Sequence, residues 1–84
     1  MTDNYLLGFV LASDYRKKVM LSLQERPSTP SIISEKTALY PSHVSLTLSE
    51  LVEKKLVVCL TPKLRKGRLY ELTKDGHSVL KNLK

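Results

Sequence analysis

The stretch Tyr40-Pro-Ser-His-Val-Ser-Leu-Thr-Leu-Ser-Glu-Leu-Val-Glu-Lys-Lys55 decides how this chain is read. Pro41 suits the first position of a helix, where a missing N–H breaks no intrahelical bond and the ring presets φ. Val44, Leu48, Leu51 and the aliphatic stem of Lys55 recur at spacings of three and four, so they line one side of that helix, and Val52 widens the stripe. At about 100° per residue, Ser42, Leu46, Ser49 and Glu53 point the opposite way. Ser42, His43 and Ser45 crowd the first turns with small polar groups. The spacing predicts an amphipathic helix over about Pro41–Lys54, anchored along one side, with a slim polar end able to enter a groove.

Working outward, Pro27-Ser-Thr-Pro30 is a break in the chain. Thr29 is placed to cap a helix whose first residue is Pro30 and which runs through Ile33 to about Ala38. Ile33, Ser34, Thr37 and Leu39 are expected to face inward. Leu39-Tyr40-Pro41 then leaves only a tight link, and two helices joined by about three or four residues have helix-turn-helix geometry. Upstream, Ser13 is a candidate N-cap, and Asp14 in the first turn suits the helix dipole. Tyr15, Val19 and Leu23 repeat at four-residue intervals with Met20 beside them, and this helix is expected to end at Arg26, before Pro27. Arg16, Lys17 and Lys18 take its other faces, as a solvated surface or as phosphate contacts. The segment Asp3–Leu11 holds Leu6, Leu7, Phe9, Val10 and Leu11. It reads as a short helix despite Gly8, which costs about 1 kcal/mol of helix propensity; an extended arm is the alternative. Downstream, Leu56–Thr61 is β-branched and apolar, Leu69–Leu72 alternates, and Pro62–Arg68 lies between them, so a hairpin is expected. Thr73 caps a last helix with Asp75 in its first turn and Val79, Leu80 and Leu83 as its stripe.

Length and composition bound the function. With 84 residues the chain makes one domain, 1–84, read as an apolar N-terminal segment, 1–12, and a core, 13–84. So small a domain gains from a partner subunit. The 42% hydrophobic content argues against disorder, and a net charge of +6 with a pI near 9.6 favours a polyanionic partner. Cys59 is the one cysteine, so no intrachain disulfide and no four-cysteine zinc site can form. Mid-strand, it is expected to serve as a small buried hydrophobe; a redox-sensing thiol, which needs exposure and a depressed pKa, is the alternative. His43 and His77 have no companion ligands at metal spacing, no cofactor is expected, and no catalytic triad or carboxylate pair is present, so the chain is not expected to be an enzyme. The longest apolar run, Tyr5–Ala12, is too short to span a bilayer, and Asp3 before it is unlike a signal peptide. A cytoplasmic protein is expected.

The order helix, helix, helix, hairpin, helix resembles a winged helix-turn-helix domain. Thr29-Pro-Ser-Ile-Ile-Ser-Glu-Lys-Thr-Ala-Leu39 is similar to that family's second helix. Ser42-His-Val-Ser, then Leu48, Leu51 and Glu53-Lys-Lys-Leu-Val57, look like its recognition helix and exit, and Arg65-Lys-Gly-Arg-Leu-Tyr-Glu-Leu-Thr73 with Gly76 resembles its wing and final helix. The similarity covers about residues 14–84 and is nearest to the small MarR-like and ArsR-like regulators of archaea. The chain departs from them at four positions. Leu46 stands where arginine often points at DNA, Ile32 where glutamate often completes a capping box, and Lys55 and Ala38 where glycine is common, which puts a strained C-cap on Lys55.

The resemblance implies a fold that is mainly α with a β-hairpin wing, and a transcriptional regulator that binds duplex DNA. The apolar stretch Tyr5–Leu11 predicts a homodimer built through the N-terminal segment, either alone or together with the last helix. The resemblance assigns Ser42, His43, Ser45 and Leu46 to the major groove. Hydroxyls there can bond bases or phosphates, and a leucine can touch a thymine methyl. The wing cations Lys63, Arg65, Lys66 and Arg68 go to the backbone or minor groove. Thr29 and Ser31, at the start of the second helix, are candidates for a phosphate. Two other functions fit the same residues: a winged-helix protein-interaction module using Ile32 and Leu46, and nonspecific nucleic-acid binding through charge.

Overall fold

Hydroxyl side chains start three of the helices. Ser13 Oγ accepts from Arg16 N–H at 3.4 Å, Thr29 Oγ1 from Ile32 N–H at 3.4 Å, and Thr73 Oγ1 from Gly76 N–H at 3.0 Å. The computed structural model describes residues 4–83. Its elements are α1 (Asn4–Leu11), α2 (Asp14–Ser22), α3 (Pro30–Thr37), α4 (Pro41–Glu53), β1 (Val57–Cys59), β2 (Tyr70–Leu72) and α5 (Lys74–Lys81). Asp3, expected to open the first helix, lies outside the described residues. The strands are shorter than the apolar runs that encode them and pair antiparallel, Val57 with Leu72, Val58 with Glu71 and Cys59 with Tyr70. One further backbone bond, Leu60 N–H to the Leu69 carbonyl at 2.7 Å, carries the ladder towards the loop.

The stripe on α4 is buried where spacing predicts. Val44, Leu48 and Leu51 join Val19, Met20, Leu23 and Ile33 in one core, with Tyr70 packed at its margin. Val52 does not join it; at 38% exposed it sits on the flank. Lys55 also leaves the stripe, because the helix has ended before it. Leu56 N–H donates to the Leu51 carbonyl and Lys55 N–H to the Val52 carbonyl, each at 2.9 Å, and Lys55 takes φ 61°. This is the Schellman arrangement, with a lysine in the left-handed position that glycine usually fills. Ala38 does the same at the end of α3, with φ 60°.

Two expectations for α2 are corrected. Tyr15 is 41% exposed and lies outside the core. The helix stops at Ser22, not Arg26: Ser22 Oγ donates back to the Val19 carbonyl at 2.6 Å, and Leu23 N–H bonds the Met20 carbonyl at 3.0 Å. Tertiary pairing explains the early stop. Leu23 turns into the core, and Ser28 exchanges both backbone hydrogen bonds with Tyr70, each 2.9 Å. The segment read as a break thus adds a one-residue bridge along the free edge of β2, and it ties the start of α3 to the base of the wing.

Helix α1 packs on α2 and buries Val10 completely. Arg16 on α2 fastens it. Its guanidinium carbon lies 3.8 Å from the centroid of the Phe9 ring, Nη1 donates to the Phe9 carbonyl at 2.7 Å, and Nε faces Glu50 Oε1 of α4 at 3.3 Å. Helix α5 closes the far side, where a Cβ on Gly76 would stand 2.2 Å from the Leu56 carbonyl oxygen. Only glycine permits that approach of α5 to the start of β1.

Candidate nucleic-acid interface

Because Val44, Leu48 and Leu51 hold α4 down, its opposite side is open: Ser42, Ser45, Leu46, Ser49 and Glu53 are all exposed. His43 is placed differently from its neighbours. It is half-buried, its ring stacks on Tyr15 of α2 with centroids 5.0 Å apart, and it meets Tyr40 edge-on at 5.9 Å. Tyr40 makes no side-chain cap for α4, and Pro41 has no N–H. The first-turn N–H groups of Ser42 and His43 therefore have no intrahelical acceptor and no side-chain cap.

The loop between the strands carries Lys63, Arg65, Lys66 and Arg68, all exposed. It is braced from within: Leu69 N–H donates to Thr61 Oγ1 at 2.9 Å, Leu64 N–H to the Thr61 carbonyl at 3.1 Å, and Arg68 Nε to the Leu64 carbonyl. Gly67 supplies the positive φ, 66°, that the tip requires.

An open groove of about 260 Å³ joins these elements. Ser45 and Ser49 line it from α4, Pro30 from α3, and Arg65 and Arg68 from the wing, over a floor of Leu48 and Tyr70. On the other side of Arg68 a second hollow, about 310 Å³, is lined by Ser49, Val52, Glu53, Cys59 and Tyr70. Cys59 is therefore half-buried at a hairpin end and not a core residue, because β1 is too short to carry it inward. At the start of α3, Thr29 spends its hydroxyl on Ile32 N–H, while Ser31 is exposed and its first-turn N–H has no intrahelical acceptor.

Charge is divided unequally. The exposed side of α4 has no lysine or arginine and ends at Glu53, whereas the loop concentrates four cations. Lys54, at the end of α4, is turned towards α1. Its ammonium lies 5.3 Å from the Tyr5 ring centroid, and the hydrogen bond and charge of the Tyr5 hydroxyl raise it above the ordinary lysine value of 10.5. Arg16, read from sequence as part of a solvated or phosphate-facing trio, is committed to Phe9 and Glu50. Its partners lie 7 and 34 residues away, and no local pattern announces them. Among the described residues no group of three histidine, cysteine or acidic side chains could hold a metal, and no helix is long and apolar enough to cross a membrane.

No protein-family model and no curated protein matches the sequence. Solved structures do. BpsR of Bordetella bronchiseptica, from a structure concerned with regulation of its DNA binding by 6-hydroxynicotinic acid, superposes with a TM-score of 0.78 at 20% identity, over 84% of this chain and 55% of that one. The fold is a winged helix-turn-helix. A doubly substituted ZitR of Lactococcus lactis in its apo form gives a TM-score of 0.73 at 24% identity, over 93% of this chain and 64% of that one. Another structure of that variant gives 0.66 at 29% identity, over 80% and 46%. The chain thus spans less than two thirds of the length of these structures. In winged-helix terms, α3 and α4 are the helix-turn-helix and Pro62–Arg68 is the wing.

Proposed function

We propose that this winged helix is a transcriptional regulator of the small MarR-like or ArsR-like kind, binding duplex DNA in a sequence-dependent way as a homodimer. Helix α4 enters the major groove with Ser42, Ser45 and Leu46 towards the bases. His43, held by Tyr15, stands at the groove's edge, and the wing lies along the adjacent backbone or minor groove. The observation that carries this reading is the single groove in which Ser45 and Ser49 face Arg65 and Arg68: a polar reading surface and a cationic surface open on the same space. BpsR, which shares the fold, has DNA binding of its own. The first turns of α3, with Thr29 and Ser31, and of α4 offer N–H groups to flanking phosphates.

Labour divides between the two elements. Phosphate contacts set the salt dependence and most of the affinity, whereas base contacts set sequence preference. With no cation on the exposed side of α4, charge-driven affinity comes from the wing. The double variant Arg65→Ala, Lys66→Ala should bind every duplex more weakly and flatten log affinity against log salt by about 0.9 for each phosphate no longer neutralised. Ser42→Ala with Ser45→Ala should instead narrow the gap between a preferred and a random duplex at nearly unchanged slope. Titrations of both variants at several salt concentrations, on a duplex selected from a random pool and on a scrambled one, check this. A wing variant that keeps its slope while the slope of the helix variant falls reverses the assignment. A wild-type protein that binds neither duplex at low salt replaces DNA with a protein partner, for which exposed Ile32 and Leu46 are the contact surface.

A further inference from the structure

We infer that Leu46 is a specificity-determining residue that reads the 5-methyl group of a pyrimidine, so that the preferred DNA carries thymine, or 5-methylcytosine, at the step facing the middle of α4. This rests on the duplex-DNA reading above and names what the reading helix selects.

Leu46 is 63% exposed, halfway along the open side of α4. Ser42 and Ser49 lie one turn to either side of it and Ser45 beside it, all exposed. These slim neighbours leave the leucine as the most protruding group, with nothing to keep a groove floor away from it. The set of side chains on that side is what limits readout. Guanine is ordinarily read by arginine or lysine and adenine by asparagine or glutamine; the open side has none of these four. Serine hydroxyls donate or accept, so they bond to several base edges and discriminate weakly. The one apolar feature in the major groove is the methyl on C5 of thymine, and Leu46 is the one aliphatic side chain between Ser42 and Ser49 able to meet it. A cytosine at that step lacks the methyl group and so loses the apolar contact with the leucine, whereas 5-methylcytosine restores it.

The full chain, wild type and Leu46→Ala, is titrated on the tightest duplex selected from a random pool. Each thymine is replaced in turn by deoxyuridine, which removes only the methyl group. At the position where deoxyuridine weakens binding, cytosine and 5-methylcytosine are then compared. Wild type should bind about fourfold more weakly for each touched methyl removed, as expected from the transfer free energy of one methyl group. It should bind 5-methylcytosine more tightly than cytosine by a similar factor. Leu46→Ala, with unchanged circular dichroism and salt slope, should bind the thymine and deoxyuridine duplexes equally; this arm separates methyl contact from any effect of deoxyuridine on DNA flexibility. Equal binding of thymine and deoxyuridine by the wild type, or full discrimination by Leu46→Ala, overturns the inference while leaving duplex binding standing. Failure to select or bind any duplex at low salt removes the duplex reading itself, and this inference with it.

Discussion

Lys55 and Ala38 are the two non-glycine residues with a left-handed backbone among those described. A side chain there costs roughly 1–2 kcal/mol, part of which glycine returns through its freer unfolded chain. Lys55→Gly should therefore stabilise the protein by about 1 kcal/mol, raising the midpoint of thermal unfolding by about 4–8 °C in a domain of this size. Ala38→Gly should act in the same direction. An unchanged or lower midpoint for both would mean that neither cap is strained. The strain at Lys55 is legible in the sequence only through the family resemblance, which puts glycine at that position; spacing alone counts the Lys55 stem into the apolar stripe of α4. The part Arg16 plays is not legible. Its neighbours Lys17 and Lys18 are chemically alike, and only the fold brings Phe9 and Glu50 to one of the three. Arg16→Ala should cost about 1–2 kcal/mol, combining a cation–π contact with a half-exposed ion pair. Arg16→Lys should recover little, because lysine lacks the planar fork that serves both partners at once. Urea unfolding of the two variants tests this, and full rescue by lysine would reduce the contact to charge alone.

At the scale of elements, α4 sets the standard for what a sequence pattern can carry. Leu46 and Leu48 are two positions apart and face opposite ways, as the spacing predicts. Leu48→Ala should cost roughly 2–5 kcal/mol, the range for a buried leucine, while Leu46→Ala should change stability by no more than about 0.5 kcal/mol, as surface substitutions do. Equal shifts in the unfolding midpoint would mean the phase of the helix is wrong. Caps and stripes are legible because they depend on residues three or four positions apart. Where α2 ends is not, because it depends on Ser28 meeting Tyr70 from a distant part of the chain. The same distance effect separates the candidate site into two parts. Its polar helix and its basic loop are each plain in the sequence, but their convergence on one groove depends on the hairpin folding back over α4. Lys54 adds an interaction that pH can move. Its folded value is raised by Tyr5, so the contribution is complete below the unfolded lysine value and disappears as pH rises through the folded one. The hold of α4 on α1 at this point is thus constant around neutral pH.

For the whole molecule, the question is how two copies would meet. Val10 belongs to the core, so removing α1 would unfold the domain as well as any interface. Tyr5 and Leu11, in contrast, are 62% and 51% exposed on the outside of α1. If dimerisation uses that surface, Leu11→Ser should shift the protein towards monomer in sedimentation while the unfolding midpoint changes little; Tyr5 is left in place because it holds Lys54. A dimer spaces its two reading helices about 34–36 Å apart, so the monomeric variant should also bind a palindromic duplex more weakly. An unchanged monomer–dimer balance would move the interface elsewhere, with α5 the next surface to test.

The two hydrogen bonds between Ser28 and Tyr70 give the wing a property that its exposed tip conceals. A basic loop on a hairpin of two short strands would swing as a flap, free to find phosphates at any angle. Here the base of the flap is riveted to the residue before the cap of α3. Torque applied at Arg65 is delivered to the start of α3 and through it to α4. The tip is exposed, but the base of the wing is tied through Ser28 to the start of α3, and α3 packs on α4. Under the proposed DNA binding, the two contact elements would meet a duplex already held against one another, and a duplex of another groove width would have to deform to fit them.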